Sequence, residues 1–134
     1  MKKHLNLFLI SLLVWGCNPK NVEPASEFEI TTMQSKVYSG LTIEVISAQN
    51  SLCPPDGNCI WQGFANAKII VKSNSSSQSQ EIDFCVGGCI AVNQNISTEN
   101  TFVMDRKRYK LTLVDLLRTN GFASNPVTVR LKIE

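Results

Sequence analysis

Cys53-Pro54-Pro55-Asp56-Gly57-Asn58-Cys59-Ile60-Trp61-Gln62-Gly63 is the stretch on which the reading of the fold turns. Two cysteines bracket a run of turn formers. Proline pre-sets φ for the second position of a turn, Asp and Asn fold back on their own backbone, and Gly admits positive φ. Such a segment is a loop, and the sequence on either side shows what it joins. Before it, Leu41-Thr42-Ile43-Glu44-Val45 alternates apolar and polar; after it, Ala65, Ala67, Ile69 and Val71 oppose Asn66, Lys68 and Lys72. Period-two alternation marks a strand with one buried and one wet face. The centre of the chain therefore reads as two strands joined by a cysteine-closed loop, with Trp61 expected to pin the loop base to the core and Pro54, Pro55, Asp56, Gly57 and Asn58 at its tip.

The same alternation recurs on both sides. Phe28-Glu29-Ile30 opens the pattern, Glu81-Ile82-Asp83-Phe84 resumes it, and Tyr109, Leu111 and Leu113 alternate with Arg108, Lys110 and Thr112. Val127, Val129, Leu131 and Ile133 close the chain against Thr128, Arg130, Lys132 and Glu134. Ser73 to Gln80 reads as a polar, mobile hairpin loop, and Ile90 to Thr101 as a long polar connection. Val114 to Thr119 fits either a continued strand or a short helix capped by Asn120-Gly121. Six or seven short strands with no long helix cannot all bury a face in one flat sheet. The expected fold is an all-β antiparallel sandwich, with a small open β-barrel as the alternative.

The N-terminus belongs to a different regime. Lys2 and Lys3 precede a short apolar run, Leu5 to Val14, and Gly16-Cys17 ends it. The run is too short to span a bilayer as a mature helix, so residues 1–16 read as a signal peptide. This end resembles the lipobox of bacterial lipoproteins, in which the cysteine corresponding to Cys17 becomes the acylated first residue. Five cysteines make an odd count, and acylation of Cys17 leaves four that can pair. Residues 17–26 then form a lipidated tether and 27–134 a single β-domain. Several acyl chains, palmitate among them, anchor far more firmly than one. The resemblance implies an address at the bacterial cell envelope, at the outer membrane.

Loss of the signal also removes Lys2, Lys3 and the sole histidine, His4, leaving the mature chain near neutral. There is no global field to recruit nucleic acid. Without histidine there is no Ser-His-Asp or Cys-His nucleophile pair and no histidine metal ligand. No catalytic residue, metal or cofactor is assigned. An enzyme would have to work through carboxylates such as Asp56, Asp83 or Asp115.

Cys53, Cys59, Cys85 and Cys89 allow three pairings. Both Cys53–Cys59 and Cys85–Cys89 flank turns that already bring their backbones together, Gly87-Gly88 in the second case, which favours these local links. A pairing between the two loops remains open. An exported address favours disulfides over thiols. Zinc is disfavoured because the spacings are not C-x2-C and no histidine supplements them.

The stretch Leu52-Cys53-Pro54 through Cys59-Ile60-Trp61-Gln62-Gly63, followed by an alternating strand, resembles a CPxxxxCxWxG motif of small exported bacterial lipoproteins of unassigned activity. Leu52 stands where that motif often carries arginine. The resemblance implies that Cys53 pairs with Cys59, leaving Cys85 for Cys89; it implies a fold and an address and supplies no substrate.

Functional readings stand beside bland ones. The stiffened loop Pro54 to Asn58 suits a preorganised contact surface, yet also suits a corner in a small β-domain. Trp61 reads as a core residue before a stacking platform. Asp56-Gly57-Asn58 reads as turn chemistry before a calcium site. If the Tyr109 and Val127 strands are neighbours, Arg108, Lys110, Arg130 and Lys132 share a wet face. That basic patch would suit an anionic envelope surface or an acidic protein, unless Glu81 and Asp83 neutralise it. The expected function is a lipid-anchored envelope β-domain with a non-enzymatic interaction or structural role. The alternative is a ligand-binding or inhibitor module presenting the Cys53–Cys59 loop.

Overall fold

A computed structural model of the chain describes residues 24–118 and 126–134. The expected signal peptide, Cys17, most of the expected tether and the expected Asn120-Gly121 cap lie outside the described residues. The fold is an antiparallel β-sandwich of two four-stranded sheets. One sheet has the order β1 (Ser26–Thr31), β8 (Val127–Ile133), β7 (Lys107–Arg118), β6 (Glu99–Met104). The other has β2 (Ser35–Tyr38), β3 (Leu41–Asn50), β4 (Phe64–Ser73), β5 (Ser79–Gly87). A single 3-10 turn, Cys89–Val92, follows β5. Two separate sheets exclude the barrel alternative.

The alternation read from the sequence is the burial pattern. Ile43, Val45, Ile69, Val71, Ile82 and Phe84 line the inner face of one sheet, and Phe28, Ile30, Leu111, Val129, Leu131 and Ile133 that of the other. Every buried hydrophobic side chain removes apolar area from water, and among the described residues no polar or charged side chain is buried with them.

The structure adds two strands to those expected. β2 is an edge strand whose residues are exposed apart from a half-buried Tyr38, so it carries no alternation. β6 lies inside and beyond the stretch expected to be a connection, with Phe102 and Met104 inward against Tyr109. Ser26, read as tether, already pairs with Ile133 in β1. Val114 to Arg118 continues β7, and the ambiguity there has a cause. The register shifts between Leu113 and Asp115, so Val114 bulges outward and the alternation resumes at buried Leu116.

The hairpin loop at Ser73 is not left loose. Ser73 and Ser76 donate hydroxyl hydrogen bonds to Asp105, as does Ser75 at 2.9 Å, tying the β4–β5 hairpin to the β6–β7 turn. These bonds hold the Asp105 carboxyl below its ordinary pKa, Ser73 contributing most. The chain enters at this end: Tyr38 Oη donates to Pro24 O at 3.1 Å. β3 runs ten residues away from it, about 30 Å at strand rise. The β3–β4 connection, with its two cysteines, therefore stands at the opposite end of the sandwich.

Candidate functional site

Both cysteine pairs form local disulfides. Cys53 and Cys59 are bridged with an S–S distance of 2.04 Å, and Cys85 and Cys89 with Cα atoms 6.0 Å apart. The pairing between loops is thereby excluded, and these sulfurs are not available as zinc ligands. Inside the first loop, Gly57 N donates to Pro54 O at 2.9 Å. This closes a β-turn with Pro55 at the position whose φ proline pre-sets.

The base of that loop is tied down on three sides. The β3–β4 ladder extends into it through Ser51 N to Phe64 O and Cys53 N to Gln62 O, each 2.9 Å. Gly63 makes this close approach possible: its φ is +71°, and a Cβ there would lie 2.0 Å from Ser51 O. Gly88 N donates to Gly63 O at 2.8 Å, which joins the two disulfide loops. From the facing sheet, Arg118 donates an Nη hydrogen bond to Leu52 O at 2.9 Å, and Leu116 O accepts one from Asn50 Nδ2 at 2.6 Å. Asn50 Oδ1 in turn accepts from Leu52 N at 3.1 Å.

Trp61 does not pin this loop to the core. It is 52% exposed, its ring centroid 6.4 Å from that of Phe64 and tilted by 55°. Partly buried Leu52 takes the core-facing place instead. Trp61 is left lying over Gly88, where its ring would be 3.5 Å from an added Cβ. Its neighbour Ile60 is fully exposed. The cross-linked end thus displays two large apolar side chains on a backbone held by a disulfide, a glycine contact and Arg118. Between them and Arg118 runs an open groove of about 520 Å³, whose lining includes Asn50, Leu52, Pro54, Ile60 and Trp61.

Arg118 is the site residue that the sequence reading missed. It is half-buried, and its Nε is buried with no hydrogen-bond partner. No ion pair to Arg118 exists among the described residues. In sequence it is one more cation at a strand end. Its neighbours Asn50 and Leu52 come from 68 and 66 residues away, so no local signal points to them.

The expected basic patch needs correction. β7 and β8 are neighbours, and Arg108, Lys110, Arg130 and Lys132 do share a wet face. The flanking strands bring acids onto the same face. Lys110 pairs with Glu99 at 2.9 Å, Arg130 with Glu29 at 2.7 Å and Glu27 at 3.7 Å, and Lys132 with Glu134. The result is a mixed-sign lattice rather than a cationic surface. Glu99 first, then the charge of Glu134, raises the Lys110 pKa, and Lys132 lowers that of Glu134. Such exposed pairs contribute little to stability. Glu81 and Asp83, expected to neutralise the patch, belong to the other sheet, where both pair with Lys68.

Asp56, Asp83 and Asp115 lie on three different elements. Asp56 is at the exposed turn, Asp83 on the outer face of β5, and Asp115 on β7 with Oδ1 accepting from its neighbour Leu116 N. Among the described residues no three His, Cys, Asp or Glu side chains gather as around a metal ion. A second depression of about 580 Å³ lies on the outer face at Lys68, Asp83, Asn93, Gln94 and Ser97. Asn66 Nδ2 donates to Gln94 Oε1 across its neighbourhood at 3.2 Å. No family model, no curated protein and no solved structure matches this chain.

Proposed function

We propose that the protein is a lipid-anchored, non-enzymatic β-domain of the bacterial cell envelope, at the outer membrane, that engages a protein partner through its Cys53–Cys59 loop. It would belong with the small exported lipoproteins whose CPxxxxCxWxG motif it resembles. The observation that carries the reading is the exposure of Ile60 and Trp61 on a loop fixed at its base. A loop that merely turned a corner would hide its tryptophan. A fixed loop loses little conformational entropy on binding, and exposed aromatic anchors on such a loop are what binding surfaces concentrate. The orientation is favourable too. An acylated Cys17 would attach the chain at the Pro24 end, so the loop faces away from the anchoring membrane.

The test is photocrosslinking in the living host. A photoreactive residue at position 60 should give a discrete protein adduct, and the same residue at Val37, exposed on the edge strand β2, should not. Equal labelling from both positions, or adducts with lipid alone, would overturn the contact-loop reading. Mass analysis of the protein extracted from membranes should find Cys17 as an acylated first residue, and a Cys17 carrying a free thiol would remove the acyl anchor.

A further inference from the structure

Resting on that contact-loop reading, we infer that the groove between Ile60, Trp61 and Arg118 receives a protein segment bearing a carboxylate beside an apolar side chain. Arg118 is a half-buried cation with no acidic partner among the described residues, and it lines the groove. A guanidinium already shielded from water gains more from an incoming carboxylate than a surface lysine does, and with Nη2 turned to Leu52 O and Asn50 Oδ1 it is Nη1 that is left to meet the acid. Its position is fixed in advance. The bond to Leu52 O at 2.9 Å holds the guanidinium against the loop base, so less is lost in ordering it when the acid arrives. The hydrophobic half of the site is Ile60, fully exposed, and Trp61, half exposed, which line the same groove. Tryptophan and arginine together are the composition of an interface hot spot. Asp56, the acid of this loop, is at its exposed tip and forms no ion pair with Arg118.

A single cation beside two large apolar side chains fits one acid flanked by hydrophobic residues better than it fits an anionic lipid sheet. A sheet of charge is met by clustered lysines and arginines, and on the outer face of β7 and β8 the cations Lys110, Arg130 and Lys132 are each paired with a glutamate.

The probe is a displayed library of linear dodecapeptides, selected against the full-length protein in detergent micelles. Enriched peptides should carry Asp or Glu next to an aliphatic or aromatic residue, and binding should weaken with added salt. Exchange of the peptide's acid for its amide should cost about tenfold in affinity or more, and so should Arg118→Gln and Ile60→Ser. Because Arg118 also braces Leu52, the acid-to-amide exchange is the decisive arm, for it leaves the protein untouched. Peptides that bind through Ile60 but ignore that exchange would overturn the role of Arg118 and leave the contact loop standing. No enrichment, or enrichment indifferent to Ile60→Ser, would overturn the groove as a docking site. Binding to phosphatidylglycerol vesicles in place of peptides would overturn it in favour of lipid.

Discussion

Replacing Gly63 by alanine should be among the most damaging single substitutions in the chain, and Gly40→Ala supplies its internal control. Both glycines have positive φ, +71° and +79°, so both variants carry the left-handed backbone penalty of about 1–2 kcal/mol. At Gly40 nothing lies within 4 Å of the added Cβ, and the penalty ends there. At Gly63 the new Cβ would fall 2.0 Å from Ser51 O and 2.8 Å from Ser51 C. Both are backbone atoms, so the strands flanking the loop must part. That motion puts at risk Ser51 N to Phe64 O, Cys53 N to Gln62 O and Gly88 N to Gly63 O. At about 1 kcal/mol net for each hydrogen bond, Gly63→Ala should cost about 4–5 kcal/mol in all. That approaches the whole stability of many small domains, about 5–15 kcal/mol. Urea titration of the oxidised protein, followed by circular dichroism, should show a midpoint lowered by about 3 M for Gly63→Ala and about 1 M for Gly40→Ala, taking a slope near 1.5 kcal/mol per M. Hydrogen exchange should show lost protection of the Gly88 amide in the first variant and not in the second. If the two variants agreed within about 0.5 kcal/mol, an error smaller than a single hydrogen bond, the close-approach reasoning would be refuted.

Under mild reductant in native buffer, Cys53–Cys59 should open first, because Cys59 is exposed whereas Cys85 and Cys89 are 2% and 0% exposed; alkylation that labelled Cys85 before Cys53 would contradict this. Paired Cys53→Ser and Cys59→Ser substitutions should lower stability by about 2 kcal/mol, read from the same urea titration. Asp105 has its pKa lowered by Ser73 and Ser76, so the folded state binds this proton less readily than the unfolded chain. Its stabilisation is present above the ordinary carboxylate value of 3.8 and is lost as pH falls through the lower folded value, so Asp105→Asn should flatten the acid limb of stability against pH. Lys68, raised by Glu81 and Asp83, has the opposite sign: its contribution is present below 10.5 and lost as pH rises through the higher folded value, so Lys68→Gln should flatten the alkaline limb. Ile60→Ser should leave stability within about 0.5 kcal/mol of the parent, since the side chain is fully exposed; a larger loss would mean that it packs against the fold.

The inner face of the sandwich was legible because alternation is a local property. Ile43 and Val45, Ile69 and Val71, and Val129, Leu131 and Ile133 are buried for the reason their spacing announces: a pleated strand sends alternate side chains to opposite faces. Both disulfides were legible on similar grounds, since each closes within a turn. The misses lie where burial depends on a partner remote in sequence. β2 has a single neighbour and almost no buried face, so nothing in Ser35-Lys36-Val37-Tyr38 marks it as a strand. The Val114 bulge breaks the period that would have carried β7 to its end.

What the chain alone determined, then, was the class of fold, the faces of its main strands and the presence of a stiff loop at one turn. Tertiary structure decided what that loop shows to the outside. Leu52 and not Trp61 turns toward the core, Glu27, Glu29, Glu99 and Glu134 pair with Lys110, Arg130 and Lys132 on the outer face, and Arg118 comes from across the sandwich to the loop base. The physical reason is the same in each case. Side-chain direction along a strand follows from backbone geometry within a few residues, whereas exposure, charge balance and the neighbours of a cation depend on which distant strands pack together, and no short window of sequence contains them.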